Sequence, residues 1–190
     1  MKTRFVLSAA VITLILASCK KDSTTVQPLP TTTKTKSITV NFSPSSAFTF
    51  FSFKDTSVVA NSDSATTKWD FALRLTTFLV NSNSSGPGSG GAILLNTPYD
   101  NVTTAPASGY AYDTTASQRA IKDGSWYDYN PVTHVFTPKA GQTFIFRTAN
   151  GHYAKMELLA VDYEPFTGMV PQRLIYTFRY IYQPNTNSSF

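Results

Sequence analysis

KWDFALRLTTFLVNSNSSGPGSGGAILL, residues Lys68–Leu95, is the stretch on which the fold assignment turns. Trp69, Phe71, Leu73 and Leu75 recur at period two, with Asp70, Ala72, Arg74 and Thr76 between them, which predicts a strand. Beyond Thr77 the apolar residues Phe78 and Val80 change phase, so a bulge, a bend or a strand buried on both sides is expected there. Asn81–Gly91 reads as a loop, mobile or tightly turning. It lacks the GK[ST] ending and the GxGxxG spacing of phosphate cradles. Ser89 has Pro87 two residues before it, so it is not a nucleophile elbow. Its glycines would still let backbone approach a ligand closely. A second short apolar run, Ala92–Leu95, follows.

Outward from this stretch the chain is written in strands. Ser37–Phe42 alternates with Ile38, Val40 and Phe42 on one face. Ala47–Phe53 and Thr56–Ala60 read as a hairpin. Pro98–Gly124 is turn-rich, with one short helix expected over Ala116–Lys122. Trp126–Tyr129, Thr133–Phe136 and Thr143–Thr148 are strand-like, and Ala149-Asn150-Gly151 is a turn. His152–Tyr163 places His152, Ala154, Met156, Leu158 and Ala160 on one face. A loop over Glu164–Pro171 precedes Gln172–Gln183, where Leu174, Tyr176, Phe178, Tyr180 and Tyr182 share a face. Residues 184–190 are expected to fray. The resulting class is all-β: one antiparallel β-rich domain over residues 37–183.

Only 14% of the 190 residues are charged while 14% are aromatic, a balance that favours sheet over helix. The formal net charge is +5, and two of the basic residues, Lys2 and Arg4, lie in the leader. The mild excess that remains gives no sign of a nucleic-acid partner.

Residues 1–18 combine that basic start with an apolar run too short to span a bilayer, the pattern of a signal peptide. They end in Leu16-Ala17-Ser18 before Cys19, the only cysteine of the chain. That ending resembles a bacterial lipobox, with Cys19 as the lipidation site, so contact with the membrane would be through the lipid anchor only. Residues 19–36 are polar and Thr-rich, a flexible tether. A lone cysteine excludes a disulfide framework and a Cys-based zinc or iron–sulfur centre.

Two histidines leave little room for a catalytic triad, and nothing in the pattern supports paired catalytic carboxylates, so the chain reads as a binding protein and not an enzyme. For haem iron the available side chains are His134, His152, Met156, Met169 and the tyrosines. Without a CxxCH motif, covalent c-type haem is excluded. His134 reads as a turn residue or as a ligand, Met156 as core. Met169 sits in a loop beside Gly168 and Val170.

Several segments, in order, carry a resemblance: AFTFFSF, KWDFAL, NSNSSGPGSGGA, YDNVTTAPASGYAYDTT, WYDYNPVTHVFTPKAGQTFIFRTANGHYAKMELLAVDY and LIYTFRYIYQ. Together they resemble the HmuY-like haem-binding lipoproteins of Bacteroidetes over residues 37–183. The resemblance implies finger-like hairpins that grip non-covalent haem b through two axial His or Met side chains. The candidate ligands are His134, Met169 and His152. It also implies iron acquisition at the outer membrane, with haem captured from host haemoproteins and passed to a TonB-dependent outer-membrane receptor. The alternative is a non-enzymatic envelope lipoprotein that binds glycan or protein through exposed Trp126, Tyr127 and Tyr129.

Overall fold

The computed structural model describes residues 32–167 and 170–190. Eleven strands are found among them: β1 (Lys34–Asn41), β2 (Thr49–Ser52), β3 (Ser57–Val59), β4 (Phe71–Arg74), β5 (Thr77–Val80), β6 (Gly91–Leu95), β7 (Tyr127–Asn130), β8 (Val135–Pro138), β9 (Thr143–Arg147), β10 (Tyr153–Thr167) and β11 (Val170–Gln183). Their only helical company in these residues is two short 3₁₀ turns, Asn61–Asp63 and Tyr99–Asn101. A five-stranded sheet has the order β1-β11-β10-β9-β6, a four-stranded sheet the order β3-β2-β4-β5, and β7-β8 form a separate hairpin. All pairings between these strands are antiparallel.

The two larger sheets bury their facing aromatic residues against each other. Phe71 stacks on Phe146 at 5.6 Å, and Phe51 meets Phe178 edge-on at 5.2 Å. The period-two stripe Leu174, Tyr176, Phe178 and Tyr180 is fully buried, as its spacing requires. Each such ring contributes about 1.5–3 kcal/mol by burial, which fixes the register of the long strands, because a one-residue slip would expose the whole set.

The decisive stretch folds differently from its first reading. The change of phase after Thr77 is a reversal: β4 and β5 form a hairpin that pairs Arg74 with Thr77, and Leu75 in its turn has φ 47°. Trp69 does not share the face of Phe71 and Leu73. It packs with Phe50, Ala72 and Leu79 on the other side of the small sheet, where its indole Nε1 donates to the Ser64 carbonyl at 2.9 Å. Period-two alternation failed here because Trp69 precedes the strand.

The Gly/Ser loop is wrapped around Asn81. The buried Asn81 amide donates to the carbonyls of Thr66 and Trp69, and its Oδ1 accepts from the Gly88 amide at 2.8 Å. A Cβ on Gly86 would lie 2.2 Å from Asn81 Oδ1. The loop is therefore scaffold.

Other expectations need correction. Residues 116–122 are not helical. The Ala120 amide there donates to the carboxylate of Asp113, which also accepts from the Val80 amide and the Ser85 hydroxyl. β1 begins at Lys34, three residues inside the expected tether, where the Lys34 ammonium donates to Thr56 Oγ1. On β10 a register shift between Leu158 and Ala160 turns Leu159 outward, 48% exposed, so Val161 and not Ala160 continues the buried face. Much of the expected loop 164–171 is strand, since β10 runs to Thr167 and β11 starts at Val170. Residues 184–190 dock instead of fraying: the Phe190 amide donates to the Thr103 carbonyl, and Ser188 O accepts from the Ala105 amide.

Candidate functional site

β9 pairs with β10 only over Tyr153–Met156, while β10 continues to Thr167. The far half of the β10–β11 hairpin therefore runs past β9 as a finger. The β7–β8 hairpin is the second finger, and Tyr163 joins the two. The Tyr163 hydroxyl accepts from the Phe136 amide at 2.8 Å and donates to the Phe136 carbonyl at 3.1 Å. Burial pushes its pKa up, so the phenol stays neutral and both of its bonds hold. At the base of the small finger, Trp126 is 1% exposed and donates through Nε1 to the Thr76 carbonyl at 3.1 Å. The β4–β5 turn also accepts a hydrogen bond from Tyr176, through the Leu75 carbonyl. The decisive stretch thus braces the fingers from below.

Between the fingers lies a slot of about 280 Å³ lined by Phe42, Thr133, His134, Val135, Tyr163, Val170 and Pro171. Small-molecule pockets run from about 300 to 1,000 Å³, so the slot lies just below that range and could enclose only part of a larger ligand. His134 enters it from the turn of the small finger. Asn130 Oδ1 accepts from the Val132 and Thr133 amides, closing that turn. His134 itself has φ 56°, a left-handed conformation in which His is enriched among non-glycine residues. Its Nδ1 lies 2.6 Å from the Tyr129 hydroxyl, and no hydrogen bond from Nε2 is found among the described residues.

The sequence candidates are not all brought together. His134 lines the slot. Met169 lies outside the described residues; its sequence neighbours Val170 and Pro171 line the same slot. His152 belongs to the opposite end of β10. Its Nδ1 is 2.7 Å from the Tyr182 hydroxyl, and its amide donates to Thr148 Oγ1. About ten residues of strand separate it from Tyr163 in the slot, roughly 30 Å. Met156 is fully buried core. Trp126 is core as well, which removes most of the exposed aromatic surface that the glycan alternative required, although Tyr129 is 54% exposed. Cys19 lies outside the described residues.

Sequence reasoning missed Tyr163, and it took Tyr129 only as an exposed aromatic of the glycan alternative, not as the neighbour of His134. Tyr129 was within reach, because a hairpin turn at Asn130-Pro131 brings residues on either side of it together. Tyr163 was not, since its bond to Phe136 spans 27 residues.

The donor set suits a non-covalent haem: an apolar slot, aromatic walls and an imidazole of which only Nδ1 is engaged. Of the arginines, Arg74 covers the Phe48 ring, Arg119 bonds Ser85, and Arg179 bonds Glu157. Arg173 is exposed on β11, two residues beyond Pro171. Among the described residues no three His, Cys, Asp or Glu gather as a conventional metal site, and no helix is long and apolar enough to cross a membrane.

Comparison with known proteins agrees with this architecture. The family model described as HmuY protein matches residues 45–172. Among solved structures, the apo HmuY analog TFO of Tannerella forsythia aligns with TM-score 0.54 at 17% identity, over 81% of this chain and 98% of its own. Apo PinO of Porphyromonas gingivitis aligns with TM-score 0.50 at 15% identity, over 80% of this chain and 100% of its own. A Bacteroides vulgatus protein named as a candidate HmuY-like heme binder aligns with TM-score 0.49 at 18% identity, over 80% and 93%. No curated protein matches the chain significantly. The structural likeness concerns the fold, but the family match spans well over half of the sequence: the chain belongs to the HmuY protein family.

Proposed function

We propose that this chain is a haem-binding protein of the cell envelope that captures non-covalent haem b between its two fingers. The observation that carries the reading is the apolar slot entered by His134 and walled by Val135, Tyr163, Val170 and Pro171. Membership of the HmuY family supports it. His134 is one axial ligand in this reading. Met169, one residue before Val170, is the second. Neutral imidazole and thioether donors both suit haem iron, which supplies the ligand-binding and redox chemistry when it is held. The chain's own residues bind and orient. Tyr163 ties the two fingers together, and Val170 and Pro171 supply apolar wall. His152 serves the fold.

The polar segment before β1 and the lipobox ending at Cys19 support an outer-membrane lipoprotein, with the anchor as its only membrane contact. Capture from host haemoproteins and transfer to a TonB-dependent outer-membrane receptor complete the proposed role in iron acquisition, which needs no catalysis by the chain. The test is a hemin titration of the purified mature chain carrying Cys19→Ser. Saturable growth of a Soret band is expected, lost in His134→Ala and kept in His152→Ala. Equal spectra for His134→Ala and the parent chain would remove His134 from the site.

A further inference from the structure

We propose that Tyr129 is a positioning residue for His134: in the iron-bound state its phenol oxygen accepts a hydrogen bond from Nδ1–H and so holds Nε2 toward the metal. The inference rests on the haem reading of the same slot and adds to it the residue that aims the ligand. The contact is short, 2.6 Å from the Tyr129 hydroxyl to Nδ1. It is also pre-formed by backbone. Tyr129 is on β7 opposite Phe136, and Asn130 pairs with Val135, so the two side chains flank one closed turn. Asn130 Oδ1 ties that turn through two amides, and His134 is held at φ 56°.

A neutral imidazole carries one N–H and one lone pair. A ring whose Nε2 donates its lone pair to iron must keep its proton on Nδ1. Among the described residues the Tyr129 oxygen is the acceptor within reach of that proton, and its own O–H is free to face water because Tyr129 is 54% exposed. A hydrogen bond from Nδ1–H fixes ring orientation and makes the imidazole a stronger donor, the role that carboxylates and carbonyls play behind other metal-bound histidines. A stronger donor favours ferric over ferrous iron.

Tyr129→Phe keeps the ring and removes the acceptor. With hemin, the mature Cys19→Ser chain carrying this change should still give a Soret band but bind ferric haem about tenfold more weakly, at the low end for second-layer partners because the pair is exposed. Ferrous affinity should change little, so the midpoint potential should rise by about 59 mV, the one-electron equivalent of tenfold. A purely structural role for Tyr129 would lower both affinities together and leave the potential unmoved. The apo protein gives a second readout: ¹⁵N spectra of His134 should show one dominant tautomer in the parent and an exchanging mixture in Tyr129→Phe. Unchanged potential, or identical tautomer patterns in the two proteins, overturns the proposal. Absence of any hemin signal in the parent sinks the haem reading and the ligation step with it, while the apo spectra still decide whether Tyr129 holds the ring.

Discussion

Asp70 is an ionisable residue inside the core. It is buried, and its carboxylate accepts the amides of Phe53 at 2.8 Å and Ala149 at 3.1 Å, tying the small sheet to the β9–β10 turn. Desolvation outweighs those bonds and raises its pKa to about 6. Asp55, Lys54, Lys68 and Tyr182 line the same polar cavity of about 180 Å³, and Asp55 pushes in the same direction. The folded state thus binds the proton more tightly than the unfolded chain does. Its contribution to stability is full below about pH 4 and is lost as pH rises through about 6, a swing on the order of 3 kcal/mol. Urea midpoints measured from pH 4 to 7 should fall with rising pH in the parent relative to Asp70→Asn. Parallel profiles would contradict the assignment. Nothing in the sequence marked Asp70 beyond its place opposite Trp69 and Phe71, because desolvation depends on the packing of two sheets. His134, by contrast, was legible as a candidate since so few ligand side chains exist.

At the scale of elements, the fingers depend on one hydroxyl. Tyr163→Phe leaves the Phe136 amide and carbonyl without their partner, at a cost of about 1–3 kcal/mol. It should weaken hemin binding without changing the ligand-dependent spectrum, as a titration beside a thermal melt would check. A changed spectrum would mean that Tyr163 touches the iron. The Asn81–Gly91 loop is equally specific. Gly86→Ala forces a Cβ against Asn81 Oδ1 and the Trp69 ring, 2.2 and 2.8 Å away. A loss of about 1–3 kcal/mol in stability is expected from such overpacking, read from the shift in urea midpoint. No loss would mean that the loop yields easily. Period-two patterns revealed most strands here, including the buried Tyr176 stripe. They could not reveal the β4–β5 reversal, since Leu75 and Thr76 lack the usual Asn-Gly or Asp-Gly turn signal. Nor could they reveal the bulge at Leu159, which shifts the inward face of β10 by one residue. The apparent helix at 116–122 lost to Asp113, whose carboxylate accepts the backbone amides of Val80 and Ala120 while its own amide donates to the Ser82 hydroxyl.

For the whole molecule, the arrangement is an aromatic sandwich with one long hairpin running beyond it. The buried rings specify the sandwich, and the finger departs where β9 ends while β10 and β11 continue. The slot forms there because β9 leaves the other edge of β10 free and β8 meets it through Tyr163. Long-range placement of this kind is invisible to local patterning, so the all-β class could be read from the chain while the meeting of His134 with Val170 and Pro171 could not. Several exposed apolar residues lie on the fingers: Val132, 87% exposed, between β7 and β8, with Tyr129, Leu159 and Val170 in the same two hairpins, while Val58 and Tyr112 are exposed elsewhere. Such exposure suits a site that takes up a flat apolar ligand from solution or from another protein.

The central claim is that the slot between the fingers ligates haem through His134. Hemin added to the mature Cys19→Ser chain and its single variants, followed by absorbance in ferric and ferrous states, tests it most directly. The account predicts a saturable Soret shift in the parent, its loss or a change of ligand spectrum in His134→Ala and in Met169→Ala, and no change in His152→Ala. A parent chain that gives no saturable change in either oxidation state, or a spectrum that depends on His152 and not on His134, would contradict it.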